Sequence, residues 1–179
     1  MNKNMFSDPE KNIEQFNLAK GSYVADLGAG SGFYSFASAK VVGESGRVYS
    51  LDIQKDLLEK IKKESALRHL GNIEIIWADL EHLGGTKLRE SSMDAVVMAN
   101  ILFQLSLKDN TVLEVKRILK NNGKVLLIDW LSSFGGIGPQ PKDVLSKEKA
   151  EEIFAKNGFV VEKEFAAGAQ HYGIIFRKK

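Results

Sequence analysis

Asp26-Leu-Gly-Ala-Gly-Ser-Gly32 sets a carboxylate just ahead of three alternating glycines, and a second acid, Asp52, follows 24 residues after Gly28. Glycines in such a loop let the backbone approach a ligand closely. They also leave the amides of the following helix directed at an anionic group, a carboxylate or a phosphate. An acid at Asp52 can accept hydrogen bonds from both hydroxyls of a ribose, or it can cap the helix that follows. The chemistry implied is the binding of a nucleoside-like ligand.

Two residues distinguish between nucleotides. The dinucleotide pattern G-x-G-x-x-G needs a small residue at position 33, where this chain has Phe33. Asp26 lies near the end of an apolar strand, where an unpaired charge costs several kcal/mol, so it needs a positive or donor partner. The α-ammonium of S-adenosylmethionine, reached directly or through water, supplies one. A pyrophosphate would repel it.

The elements that must position these residues follow from periodicity. After Asp8-Pro9, an N-cap and first-turn proline, Ile13 and Phe16 suggest a short amphipathic helix ending at Lys20-Gly21. Ser22 to Leu27 reads as a strand, Phe33 to Val42 as a helix, and Gly46 to Leu51 as a second strand. A helix from Gln54 to His69 is capped by Gly71, and Asn72 to Ala78 forms a third strand. The signal is poor between Glu81 and Ser91. Met93 to Ala99 is a fourth strand, Val112 to Leu119 marks a helix ended by Asn121-Asn122-Gly123, and Lys124 to Asp129 is a fifth strand. A Gly/Pro-rich loop from Ser132 to Pro141 leads to a helix capped by Ser146 and stopped at Asn157-Gly158. Phe159 to Phe165 and Tyr172 to Arg177 alternate like paired strands. Apolar runs in strands one, four and five indicate a parallel sheet covered on both faces, giving a doubly wound α/β fold with a terminal hairpin.

A chain of 179 residues suits one domain, here 1–179. Residues 1–20 are expected to form an N-terminal helical segment, with Met5 and Phe6 ahead of its helix as a frayed terminus. A net charge of +2 and a pI near 8.7 supply no strong field for nucleic acid or an anionic membrane. The first 20 residues lack an apolar signal segment, and no run approaches a membrane span, so a cytoplasmic protein is expected. Zero cysteines exclude disulfides, thiolate metal sites and thiol-dependent mechanisms.

From about Tyr23 to Arg177 the chain resembles the class I S-adenosylmethionine-dependent methyltransferases, most closely small enzymes related to quinone-biosynthetic ones. Val24-Ala-Asp-Leu-Gly-Ala-Gly-Ser-Gly32 looks like the family's first motif, and Val48-Tyr-Ser-Leu-Asp52 like its acidic second strand. Ala78-Asp79-Leu80 resembles the turn that holds the adenine, with Asp79 facing the exocyclic amine. Met93 to Leu102 is similar to the fourth strand, whose end at Asn100 contacts the methionine part, and Glu114 to Gly123 resembles the helix-to-strand turn. The resemblance implies a Rossmann-like sheet of seven strands ordered 3-2-1-4-5-7-6, with strand seven antiparallel. It assigns cofactor binding to Asp26, Gly28, Ala29, Gly30, Asp52, Ile53, Ala78, Asp79, Leu80 and Asn100, with S-adenosylhomocysteine as product. It also implies a second reading of Met5 and Phe6, as a lid that closes over the cofactor.

Methyl transfer from a sulfonium is an in-line displacement that needs alignment more than a protein nucleophile. Without cysteine, the chain is neither a cytosine-C5 methyltransferase nor a thiol-dependent arsenite enzyme. Ala99-Asn-Ile-Leu102 is not the Asp/Asn-Pro-Pro-Tyr of adenine or glutamine amino-methylating enzymes. Asp129 is present, but Asn100 stands where catechol-type enzymes carry an aspartate, so no metal is expected. If the implied sheet order holds, His171 and Tyr172 come beside Asp129 and Trp130. His171 oriented by Asp129 could then act as a general base, with Trp130 and Tyr172 against the acceptor. The alternative is that His171 starts a strand and Asp129 caps its neighbour. Trp77 is read as core ahead of an adenine neighbour, and His69 and His82 as solvated. A small-molecule acceptor leads because no separate target-recognition domain is evident. A protein or RNA methyltransferase, a cofactor-binding module without turnover, and a nicotinamide oxidoreductase follow.

Overall fold

The computed structural model describes residues 7–133, 136 and 138–179, so Met5 and Phe6 lie outside the described residues. Its elements are α1 (Pro9–Phe16), β1 (Tyr23–Leu27), α2 (Phe33–Val42), β2 (Arg47–Asp52), α3 (Lys55–Leu67), β3 (Ile73–Trp77), β4 (Met93–Ala99), α4 (Lys108–Ile118), β5 (Leu119–Trp130), α5 (Lys147–Lys156), β6 (Phe159–Gly168) and β7 (His171–Lys178). They build one seven-stranded sheet in the order β3-β2-β1-β4-β5-β7-β6. β1 to β5 pair in parallel, and β7 runs antiparallel between β5 and β6.

The apolar runs explain why this sheet is covered on both sides. On one face Leu27, Val96, Met98, Leu127 and Ile174 pack with Val112 and Val115 of α4 and Phe154 of α5. On the other, Val24, Val48, Val97, Leu126 and Ile128 pack with Ile13 and Phe16 of α1 and Tyr34 and Val42 of α2. Phe154 stacks on Phe176 with ring centroids 4.1 Å apart and meets Phe159 edge-on at 5.3 Å. Such pairs contribute about 0.5–1.5 kcal/mol each beyond their burial. Among the described residues, no helix is long and apolar enough to cross a membrane.

Helix ends depart from the sequence reading where asparagine and histidine replace the expected glycines. Asn17, in the left-handed conformation at φ 55°, ends α1 before Lys20-Gly21 is reached. His69, at φ 56°, follows the end of α3 at Leu67, so Gly71 is not the cap. α4 stops at Ile118 and passes directly into an extended Leu119, because the chain there pairs with Met93 before the ladder slips and resumes at Ala95–Lys124. Trp77 is not core. It is 43% exposed on the edge strand β3, where its indole N–H donates to the Ile53 carbonyl and Lys87 lies over the ring at 4.7 Å.

The stretch from Glu81 to Ser91, which carries little periodicity, is held by a buried acid. The Glu114 carboxylate on α4 accepts from the amides of Gly84 and Thr86 at 2.8 and 3.2 Å and from the Thr86 hydroxyl, and it pairs with Arg117 at 2.7 Å. Burial alone would raise its pKa. The Arg117 and Thr86 bonds outweigh that and bring it down to about 2.

Candidate active site

The carboxyl ends of the parallel strands open on a cavity of about 920 Å³, at the point where the order reverses between β1 and β4. Strand order sets its layout. Ala78 to Glu81 follow β3, Asp52 and Ile53 end β2, Gly28 to Ser31 follow β1, and Ala99 to Ile101 end β4. Trp130 ends β5 and His171 begins β7, at the far end of the row.

The glycine loop is built for close approach. Gly28 has φ 70°, and a side chain there would run into Ile101, 2.6 Å from its Cγ1. Gly30 has φ 55°, but a Cβ would meet nothing closer than the Gly28 carbonyl at 3.9 Å. Its missing side chain therefore leaves ligand space. Asp52 locks this geometry, accepting from the Gly30 amide at 3.0 Å and from the Gln54 amide at 2.8 Å. The carboxylate thus tethers the loop to Gln54, the residue that opens α3, without capping the helix's first turn, and it retains lone pairs on the cavity wall.

Asp79 also lies on the wall, accepting from the Glu81 amide at 3.0 Å and standing 2.9 Å from His82 Nδ1. Asn100 is in the left-handed region at φ 57°, fixed by its backbone N–H donating to the Ile128 carbonyl at 2.8 Å. Its side-chain Oδ1 is buried with no hydrogen-bond partner, a cost that a ligand donor would remove.

Asp26 is not on the wall. Its carboxylate turns toward α2 behind the glycine loop, where it accepts from the Ser35 hydroxyl at 2.6 Å, itself receiving from Ser50 at 2.6 Å. Burial pushes Asp26 up to about 7 despite the Ser35 bond. The expected donor partner is therefore a serine of its own chain. A ligand ammonium would reach Asp26 only indirectly.

The proposed base pair is not assembled. Trp130 lies opposite His171 and Asp129 opposite Tyr172, and neighbouring residues of a strand point to opposite faces. Trp130 and His171 therefore share the cavity side, with rings 4.2 Å apart, while Asp129 and Tyr172 face α4 and α5. Asp129 accepts from the amides of Phe103 at 3.0 Å and Trp130 at 2.9 Å, pinning the turn after β4, and burial pushes it up to about 7. The Tyr172 hydroxyl donates to the Leu145 carbonyl at 3.0 Å and does not line the cavity. Neither nitrogen of His171 has a partner, and burial lowers its pKa to about 4.

Several wall residues escape the sequence reading: Ser7, Tyr34, Glu81, Gln104, Leu105 and Ser106. Tyr34 is fixed by an Asn12 amide donating to its hydroxyl at 2.9 Å, a contact between α1 and α2 that no local motif signals. Phe33, whose size argues against a dinucleotide, is 61% exposed beside the loop. The lining carries Asp52, Asp79 and Glu81 and, among the described residues, no lysine or arginine. That charge suits a cationic ligand and opposes a pyrophosphate.

Residues 18–168 match the family model described as a methyltransferase domain. The chain belongs to the class I S-adenosylmethionine-dependent methyltransferases. This methyltransferase domain is 28% identical to a SAM-dependent methyltransferase from Aquifex aeolicus, with a TM-score of 0.87 covering 97% of this chain and 90% of that one. A type 11 methyltransferase structure from Sulfolobus solfataricus is 27% identical with a TM-score of 0.79, covering 97% and 94%. Among curated proteins, the ubiquinone/menaquinone biosynthesis C-methyltransferase of Haemophilus ducreyi is 32% identical over 121 residues, 66% of this chain and 45% of that protein. The arsenite methyltransferase of Halobacterium salinarum is 29% identical over 128 residues, 71% of this chain and 31% of that protein. The chain thus spans less than half the length of these curated relatives.

Proposed function

We propose that this methyltransferase domain moves the methyl group of S-adenosylmethionine to a small-molecule acceptor by in-line displacement. The observation that carries the reading is one cavity joining the open face of Gly30, the Asp52 and Asp79 carboxylates and the unpartnered Asn100 oxygen, with no lysine or arginine among the described residues of its lining. When bound, the cofactor supplies a methyl group activated by a sulfonium. Asp52 would accept the ribose hydroxyls, Asp79 the adenine amine, and Asn100 Oδ1 a proton of the methionine ammonium. Gly28, Ala29 and Gly30 bring backbone against the ligand, while Ile53, Ala78 and Leu80 flank the adenosine. Asp26 acts from behind the loop, through the backbone it supports.

With the adenosine at the β3 and β2 end and the methionine at β1 and β4, the acceptor falls at Trp130 and His171. Those walls are aromatic and uncharged, and the nearest charges in the lining are carboxylates, which favours a small molecule over the phosphates of RNA. His171 would serve as a neutral hydrogen-bonding group for the acceptor, without Asp129. The thiol chemistry of an arsenite acceptor finds no support in a sequence with zero cysteines.

Calorimetry with S-adenosylmethionine, S-adenosylhomocysteine and a nicotinamide dinucleotide tests the cofactor half; binding of only the dinucleotide would reject it. Incubation with labelled methyl donor and cell extract split into metabolites, protein and RNA tests the acceptor half. Label in the metabolite fraction is expected. Label confined to protein or RNA would overturn the small-molecule reading, and cofactor binding with no label anywhere would mark a binding module.

A further inference from the structure

α4 opens without a cap of its own. Its N-cap residue is Leu107, which has no side-chain acceptor to offer the free amides of the first turn. Another loop supplies an acceptor just ahead of that turn, at the N-cap amide and the one before it. Glu81, after β3, takes the Leu107 amide at 2.9 Å and the Ser106 amide on the same carboxylate oxygen, and its carbonyl receives the Asn110 side chain at 3.3 Å. A carboxylate at a helix N-terminus also meets the positive end of the helix dipole.

The tie joins two stretches of the cavity lining. Asp79 and Leu80, just before Glu81, lie in one, and Leu105 and Ser106, just before α4, lie in the other. Glu114 and Arg117 of α4 fix the later part of the β3 loop, from Gly84 to Leu88, so Glu81 is the tie at the cavity end of that loop. We propose that Glu81 is a positioning residue for the adenosine half of the cofactor: by tying the entry of α4 to the β3 loop it holds the two stretches of lining at the separation the base requires. The proposal rests on the adenosine lying at this end, as argued above.

The experiment titrates the wild type, Glu81→Ala and Glu81→Gln with S-adenosylhomocysteine and with 5′-methylthioadenosine, which shares the adenosine and lacks the amino-acid end. Glu81→Ala is expected to weaken both ligands by about ten-fold and by the same factor. Glu81→Gln, which keeps an acceptor oxygen for the two amides, should retain most of the affinity. The double variant Glu81→Ala/Leu107→Asp gives α4 a local cap without the cross-loop tie. Its melting temperature should recover while its affinity stays low. Recovery of affinity along with stability would mean that Glu81 only steadies the start of the helix, and the proposal would fall. It would fall equally if Glu81→Ala bound both ligands like the wild type, or lost only S-adenosylhomocysteine. A wild type that binds neither ligand would overturn the cofactor reading itself and this inference with it.

Discussion

The rings of Trp130 and His171 lie 4.2 Å apart across the β5–β7 pair, tilted by 43°, and both residues line the cavity while Asp129 turns to the other face. His171→Ala is expected to lower turnover by about ten-fold, the worth of roughly one hydrogen bond, and to leave S-adenosylhomocysteine affinity unchanged. Because burial lowers the His171 pKa to about 4, its imidazole stays neutral above pH 6. The pH–rate profile should show no inflection near 6.5 that disappears in His171→Ala. Such an inflection would mean that the ring is solvated in the working protein.

Asp52→Ala should weaken S-adenosylmethionine and S-adenosylhomocysteine by about 2–4 kcal/mol, from the loss of two charge-assisted hydrogen bonds to the ribose. The freed Gly30 and Gln54 amides add to the effect by releasing the loop. Calorimetry on a correctly folded variant reads it, and unchanged affinity would remove the ribose role.

Two neighbouring glycines should respond differently. Gly28→Ala places a methyl group 2.6 Å from Ile101 Cγ1 at a positive φ, so both folding stability and ligand affinity fall. Gly30→Ala meets no protein atom closer than 3.9 Å. Beyond about 1–2 kcal/mol of backbone strain it should lose mainly ligand affinity. Paired thermal melts and titrations separate the two, and a Gly30→Ala protein with full affinity would show that this face does not meet the ligand.

Asp26 and Asp129 each have a folded-state pKa raised to about 7 from 3.8. Between those values the folded state holds the proton more tightly than the unfolded chain, so stability falls as pH rises from about 4 to about 7. Asp26→Asn removes the ionisation and keeps an oxygen for the Ser35 hydroxyl; it should stabilise the protein at pH 8 by on the order of 2 kcal/mol and change little at pH 4. Asp129→Asn also sets an NH2 group against one of the two amides that Asp129 accepts and should gain less. Urea melts at the two pH values are the check, and an equal effect at both would rule out titration as the cause.

Removing Glu114 leaves Arg117 without its partner and the Gly84 and Thr86 amides without an acceptor. Glu114→Ala should cost about 3–5 kcal/mol in chemical denaturation. A loss under about 1 kcal/mol would show that the loop finds other partners.

What the sequence by itself determined is local. The glycine loop, the acid at Asp52, the limits of β4 and the caps at Asp8 and Ser146 follow from short-range spacing, because backbone conformation at a turn or helix start depends on a few adjacent residues. The strand order was expected from family resemblance, not from periodicity. Only the tertiary structure decided which side chains meet. His171 and Asp129 are brought to adjoining ladder positions, as expected, yet a pleat with period two sends them to opposite faces once the register pairs Trp130 with His171. Trp77 is edge and not core because β3 ends the sheet, and Asp26 finds Ser35 because α2 crosses back over β1. Glu114 and Glu81 look like ordinary surface acids in sequence. The backbone amides they accept are 28–30 and 25–26 residues away, so only the packing of α4 against the β3 loop turns one into a buried anchor and the other into a tie at the entry to α4.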